Sequence, residues 1–279
     1  MRENFGRFFV AFFFLTVLFA ESAAQAQVRY RKLAFKDEFN AAAGAGVDAT
    51  KWTAEIGGWG WGNQELQYYT NSTDNAYHDG QGALVIRAVK LAPPLALSCW
   101  YGPCQYTSAR LVTKGKFEQK HGRFEARIKV PRGQGVWPAF WMLGNNIDTA
   151  GWPACGEIDI MENIGREPTV VHGTVHGPGY SGANSIGGAY SLPGNVAFAD
   201  DFHVYAAEWS ENRIAFYVDG ALYRTVTPAN LPAGAEWAFE RPFFMILNFA
   251  VGGNWPGSPD QTTVFPQTML IDYVRVYKR

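Results

Sequence analysis

The chain consists almost throughout of short stretches that alternate apolar and polar residues and stop at Gly, Pro, Asn or Asp. Ala83–Ala88 (ALVIRA), Gly122–Val130 (GRFEARIKV), Arg213–Val218 (RIAFYV) and Ile271–Tyr277 (IDYVRVY) are examples. Side chains of an extended strand point alternately to its two faces, so a period of two bounded by turn residues predicts strands with one buried face. No stretch long enough for a packed helix keeps a helical period with caps. Val218-Asp219-Gly220-Ala221 predicts a hairpin, because Asp-Gly tolerates the positive φ angles that a two-residue turn demands. Many antiparallel strands and almost no helix imply an all-β fold, a β-sandwich (jelly roll) of two packed antiparallel sheets. The first strand, Ala34–Phe39, and the last, Ile271–Tyr277, are expected to share a sheet. Without repeats, low-complexity blocks or linkers, residues 27–279 read as a single domain.

Composition excludes two function classes. With 47% hydrophobic and 18% charged residues, the chain has too much apolar surface and too little charge for intrinsic disorder. Twenty-four Lys and Arg balance 25 Asp and Glu to a net charge of -1, which leaves no electrostatic footprint for nucleic acid. Residues 1–26 stand apart. Arg2 and Arg7 precede an apolar run, Phe8–Ala20, that is shorter than the ~20 residues a membrane-spanning helix needs. It is followed by Ala24-Gln25-Ala26, an A-x-A cleavage pattern. This predicts a secretory leader, hence an extracellular or periplasmic protein with no membrane contact once the leader is removed. Export permits a disulfide, and Cys99 with Cys104 would close a short loop (SCWYGPCQ); Cys155 is then left as a small buried filler.

The densest chemical signal is Gly156-Glu157-Ile158-Asp159-Ile160-Met161-Glu162-Asn163. In a strand, Glu157 and Asp159 share one face and Ile158 and Ile160 the other. Strict alternation would send Glu162 into the core with the isoleucines, where an unpaired carboxylate is very costly. A β-bulge around Ile160-Met161 removes the conflict by adding one residue and returning Glu162 to the acidic face. Three carboxylates then line one face, with the outer Cα atoms roughly 13 Å apart at four strand steps. Leaning inward, the two Glu carboxyls can approach the ~5–5.5 Å of a retaining glycosidase. Crowded like charges raise one pKa and separate a nucleophile from an acid. A merely solvated acidic strand face, or a metal site, are the blander alternatives.

A polysaccharide also needs aromatic platforms and polar partners. Trp137 and Trp141 lie on one strand face with Ala139; Trp59, Trp61, Asn63 and Glu65 form a Gly-rich loop (GGWGWGNQELQYYT); Trp255 sits in another (VGGNWPGSPD). Loops run over the surface and carry binding groups, so these tryptophans are candidates for sugar contacts.

In this company the acidic motif resembles family-16 glycoside hydrolases, particularly bacterial laminarinase-like endo-β-1,3-glucanases. The resemblance covers nearly all of residues 27–279. It runs through Asp37-Glu38-Phe39, Trp61–Thr70, Tyr106–Arg110, Trp137–Leu143, Gly156–Asn163, His172–Gly177, Phe249–Gly257 and Ile271–Tyr277. It implies a jelly roll with a concave substrate cleft and a β-glucan substrate. Glu157 matches the nucleophile, Glu162 the acid/base and Asp159 the residue that supports the nucleophile. Trp61, Asn63, Glu65, Arg110, Trp137, Trp141 and Trp255 match positions around the sugar subsites, and His176 a position close to the acids. Family members differ in the spacing of the last acid; Met161 here matches the added residue of the bulged group, which contains laminarinases and galactan-cleaving enzymes. Several members hold a calcium ion away from the cleft, and Glu38, Gly80 and Asp272 match its ligands, calcium being satisfied by carboxylate and backbone oxygens. Catalysis itself calls for no cofactor. The expected function is thus a secreted, monomeric, retaining endo-β-1,3-glucanase. The alternatives are a related glycosidase acting on mixed-linkage β-1,3-1,4-glucan or a galactan, or a non-catalytic β-glucan-binding protein, which would gain nothing from three acids kept together.

Overall fold

The computed structural model describes Met1, residues 30–92 and residues 97–279; the expected leader over residues 1–26 otherwise lies outside these. Its strands build two large sheets and one short hairpin. The seven-stranded sheet runs in the order Ile186–Ser191, Val170–His176, Glu157–Glu162, Val136–Gly144, Phe243–Val251, Arg110–Val112, Thr53–Ala54. The ten-stranded sheet is centred on Gly122–Lys129 and Gln267–Lys278, and the first strand, Lys32–Asp37, pairs antiparallel with the last, Gln267–Lys278. Pairing is antiparallel except between Gln67–Tyr69 and Tyr106–Ser108. A four-residue turn, Ile147–Ala150, is the one α-helix among the described residues.

The alternation expected from the sequence is what separates core from surface. One apolar cluster extends in sequence from Phe35 to Val276 and takes the inward residues of both sheets, among them Phe124, Phe140, Ile158, Phe216, Met245 and Ile271. The Asp-Gly hairpin forms between Arg213–Val218 and Ala221–Val226, with φ of 49° at Asp219 and 80° at Gly220. The strand Phe243–Val251 is buried along its whole length, since its inward side chains enter the main core and its outward ones lie beneath other groups. Asn248 is its single polar residue, on the outward face. That outward face of the seven-stranded sheet carries the acids.

Candidate active site

The acid strand, Glu157–Glu162, pairs with the tryptophan-bearing strand Val136–Gly144. Glu157 faces Leu143, Asp159 faces Trp141 and Glu162 faces Ala139, so five steps on the acid strand match four on its partner. This is the expected bulge. Its extra residue against this partner is Ile160 rather than Met161, because Met161 keeps its place opposite Phe140. On the other side, against Val170–His176, both residues lie between the pairs Asp159–Thr174 and Glu162–His172. Ile160 and Met161 are 1% and 0% exposed and both enter the core. The energy of burying two adjacent apolar side chains and the cost of burying a carboxylate therefore act in the same direction.

Each acid has its own donors. Trp152 Nε1 donates to Glu157 Oε2 at 3.0 Å, and Trp137 Nε1 donates to Glu162 Oε1 at 3.0 Å. Asp159, between them, accepts from Thr174 Oγ1 at 2.6 Å and lies 3.0 Å from His176 Nε2. His176 Nε2 is also 3.6 Å from Glu157 Oε1. The backbone N–H of Gly182 donates to His176 Nδ1 at 3.0 Å, which requires a lone pair there and so places the proton of the neutral ring on Nε2, aimed at Asp159. Glu157, Asp159 and His176 bring ligand atoms within 4.8 Å of one another, but metal ligation through Nε2 would have to expel that proton and reverse the tautomer set by Gly182. The cluster is arranged for proton work.

Electrostatics follow from the crowding. Burial and the neighbouring Asp159 push the Glu157 carboxyl well above the usual carboxylate range, with the Trp152 N–H pulling partly back. Burial and Asp159 do the same to Glu162. Burial of the His176 ring opposes charging it, and Asp159 outweighs this, so its pKa is raised. Around Asp159 the two glutamates cannot both ionise readily, so one keeps its proton while the other carries the charge, which is the division between an acid and a nucleophile sharing one site.

The aromatic residues flank the acids. Beyond Glu162, the Trp255 ring stands edge-on to Trp137 at 5.5 Å and to His172 at 5.0 Å, and His172 Nε2 lies 3.3 Å from Glu167 Oε2. Across the sheet, the Arg110 guanidinium is held between the Trp61 ring at 4.8 Å and the Trp141 ring at 4.7 Å, and its Nε donates to Glu55 Oε2. Trp61 has φ 51° between Gly60 and Gly62, a left-handed conformation that turns its ring onto Arg110. Beneath runs a relay: Trp141 Nε1 donates to Asn248 Oδ1 at 2.6 Å, Asn248 Nδ2 to Tyr69 Oη at 3.0 Å, and Tyr69 Oη to Glu65 Oε2 at 3.2 Å. Glu65 also accepts from Asn63 Nδ2 and Gln67 Nε2, and is 4% exposed. The sequence reading put Glu65 among the sugar contacts; its place is under the surface, where it braces Asn63, Gln67 and Tyr69.

The residues matched to calcium stand elsewhere, on the ten-stranded sheet side. Glu38 accepts from Arg275 Nε at 2.9 Å and Nη2 at 2.7 Å, and Asp272 accepts from Arg127 Nη1 at 2.7 Å. Each carboxylate is thus paired with a guanidinium, and Gly80 is exposed, so an ion there would share its carboxylate oxygens with these pairs. Cys99 and Cys104 form a disulfide, and Cys155 is a buried free thiol. Sequence reasoning missed Trp152, Thr174, Tyr69, Gln67 and Asn248. Trp152 lies five residues before Glu157 in a loop whose return to the acids no periodicity signals; Thr174 could have been found, since a period of two along His172–His176 puts it on the His176 face.

The sequence and fold match known proteins over the same span. Residues 63–275 match the model of glycosyl hydrolases family 16. A beta-glucanase of Rhodothermus marinus is 42% identical over 257 residues, 88% of this chain and 85% of that protein. A glucan endo-1,3-beta-glucosidase A1 of Niallia circulans is also 42% identical over 88% of this chain, which spans 38% of its length. Among solved structures, the laminarinase catalytic domain of Thermotoga maritima is 51% identical and superposes with a TM-score of 0.82 over 89% of this chain and 98% of that one. A shared fold alone would leave the chemistry open, but here the family match spans the acid strand and the residues around it: the chain belongs to glycosyl hydrolases family 16.

Proposed function

We propose that the protein is a retaining endo-β-1,3-glucanase. The reading rests on one observation: the bulge turns Glu157, Asp159 and Glu162 to one face, each glutamate held by its own tryptophan N–H. Glu162, protonated and oriented by Trp137, gives its proton to the leaving glycosidic oxygen while Glu157 attacks the anomeric carbon. Asp159 lies between them, and the His176 Nε2–H together with Thr174 Oγ1 fixes its orientation. The glycosyl-enzyme ester is then hydrolysed by a water from which Glu162, now ionised, removes a proton. Reducing-sugar release from laminarin, curdlan, lichenan and agarose side by side tests the substrate class. Cleavage of the first two supports it, and cleavage of agarose alone overturns it. Proton NMR should show the β-anomer as first product; an α-anomer would exclude retention.

Secretion by the leader, a monomeric state and a bound calcium belong to the same reading and are separately testable. Calcium at Glu38 and Asp272 requires Arg275 and Arg127 to give way to the ion. A Tm raised by calcium in the wild type, and not in Asp272→Ala, identifies that site; no shift leaves the two ion pairs as its occupants.

A further inference from the structure

Two large indoles stand in the open over the Gly57–Gly60 turn, and neither the matched family positions nor the reaction uses them, although the Gly-rich loop already made Trp59 a candidate sugar contact. Trp59 is 61% exposed and Trp100 49%. Large apolar groups left in water forgo the free energy of burial, so two held outward over one Gly-rich turn call for a reason.

Trp59 terminates a continuous row of rings. Trp141 pairs in register with Asp159. Arg110 stacks between Trp141 and Trp61, and the Trp59 ring lies 4.3 Å from that of Trp61. Trp100 stands over the same Gly57–Gly60 turn. A Cβ at Gly60 would fall 3.0 Å from Trp100 Cδ1, and a Cβ at Gly57 1.8 Å from the Trp59 ring. The segment carrying Trp100 is fixed rather than free. Trp100 Nε1 donates to the Glu65 carbonyl at 2.8 Å, Tyr101 Oη to the Leu66 carbonyl at 2.6 Å, and the Cys99–Cys104 bond closes the hairpin. Cys99 seats on Gly58, where a Cβ would lie 2.6 Å from Sγ. Hydrogen bonds, a disulfide and side-chain-free turn positions thus hold both rings where they cannot fold inward.

We propose that Trp59 and Trp100 form a distal subsite for a β-linked glucan chain, stacking on the apolar C–H faces of glucose units remote from the bond being cleaved, and that the Cys99–Cys104 hairpin keeps it in place. This inference deepens the glucanase reading and rests on it. The subsite contributes only when the chain is long enough to reach past Trp61, so its signature is preference for long substrates.

The test compares kcat/KM on laminarin with kcat/KM on short laminari-oligosaccharides. Trp59→Ala and Trp100→Ala are expected to lower the long-to-short ratio roughly three- to tenfold, the range of one aromatic contact. Trp100→Phe, which keeps a ring, should retain most of the ratio, and the Cys99→Ser/Cys104→Ser pair should lower it. A wild-type ratio in both alanine variants overturns the proposal. Retardation in laminarin-containing native gels provides a readout free of turnover: weaker retardation of Trp59→Ala and Trp100→Ala, with circular dichroism as in the wild type, supports the subsite, and equal retardation overturns it. A wild type that cleaves no glucan yet is retarded more than these variants overturns the glucanase reading and leaves the subsite standing.

Discussion

Glu157 and Glu162 hold their function at the expense of stability. Burial and Asp159 raise both carboxyls in the folded protein above their unfolded values. A group raised on folding favours the native state below its unfolded pKa, and that contribution is lost as pH climbs through the folded value. At neutral pH both acids therefore work against folding. Glu162→Gln removes one of them while keeping an acceptor for Trp137, and its Tm at pH 7 should rise by about 2–4 °C, the shift ~1 kcal/mol makes in a domain of this size. The same change should lower kcat roughly 10²–10⁴-fold. Scanning calorimetry and steady-state rates on one preparation check both, and the Tm gain should vanish below the ordinary carboxylate range. The wild-type rate profile should likewise place both limbs, Glu157 losing its proton and Glu162 keeping its own, above that range.

At the scale of elements, the strand beside the acids depends on missing side chains. Gly173, opposite the bulge, pairs in register with Gly188 on the edge strand. A Cβ at Gly173 would lie 2.3 Å from Tyr223 Oη and 2.8 Å from the Phe216 ring, both brought up from the other sheet. Gly173→Ala should therefore force the sheets apart and cost about 1–3 kcal/mol in urea unfolding. His172 and Thr174 flank this position and face Glu162 and Asp159, so kcat should fall with stability. Ile158→Ala, one step from Glu157 but on the core side, should cost about 2–5 kcal/mol through the cavity it leaves.

For the whole molecule, the first described strand and the last meet. Gln267–Lys278 pairs with Lys32–Asp37, Gly122–Lys129 and Leu84–Lys90, and sends Ile271, Val274 and Val276 into the shared core. Ending the chain before Val274 removes the register partners of the first strand at one stroke. Such a truncation should show no cooperative unfolding transition by calorimetry, whereas the full chain should melt in a single one.

The two-residue period, the Asp-Gly turn, the pairing of the first strand with the last and the need for a bulge before Glu162 were all legible in the sequence. The period, the turn and the bulge are local rules or follow from the cost of burying a charge; the first-with-last pairing was an expectation about topology that no local rule supplies. Glu65, by contrast, looked like a sugar contact because its loop is Gly-rich and aromatic. Its burial depends on Asn63, Gln67 and Tyr69 converging on it, with Tyr69 tied in turn to Asn248 from a strand nearly two hundred residues away. Trp152 reaching Glu157, Gly182 fixing the His176 tautomer, and Arg127 and Arg275 occupying the carboxylates matched to calcium have the same origin. The sequence by itself determined which residues face the core and that three acids must face away from it, because side-chain direction and desolvation act within one strand. Which donors each acid meets was decided only when separate strands and loops came together, since hydrogen bonds and ion pairs depend on distances that no spacing along the chain encodes.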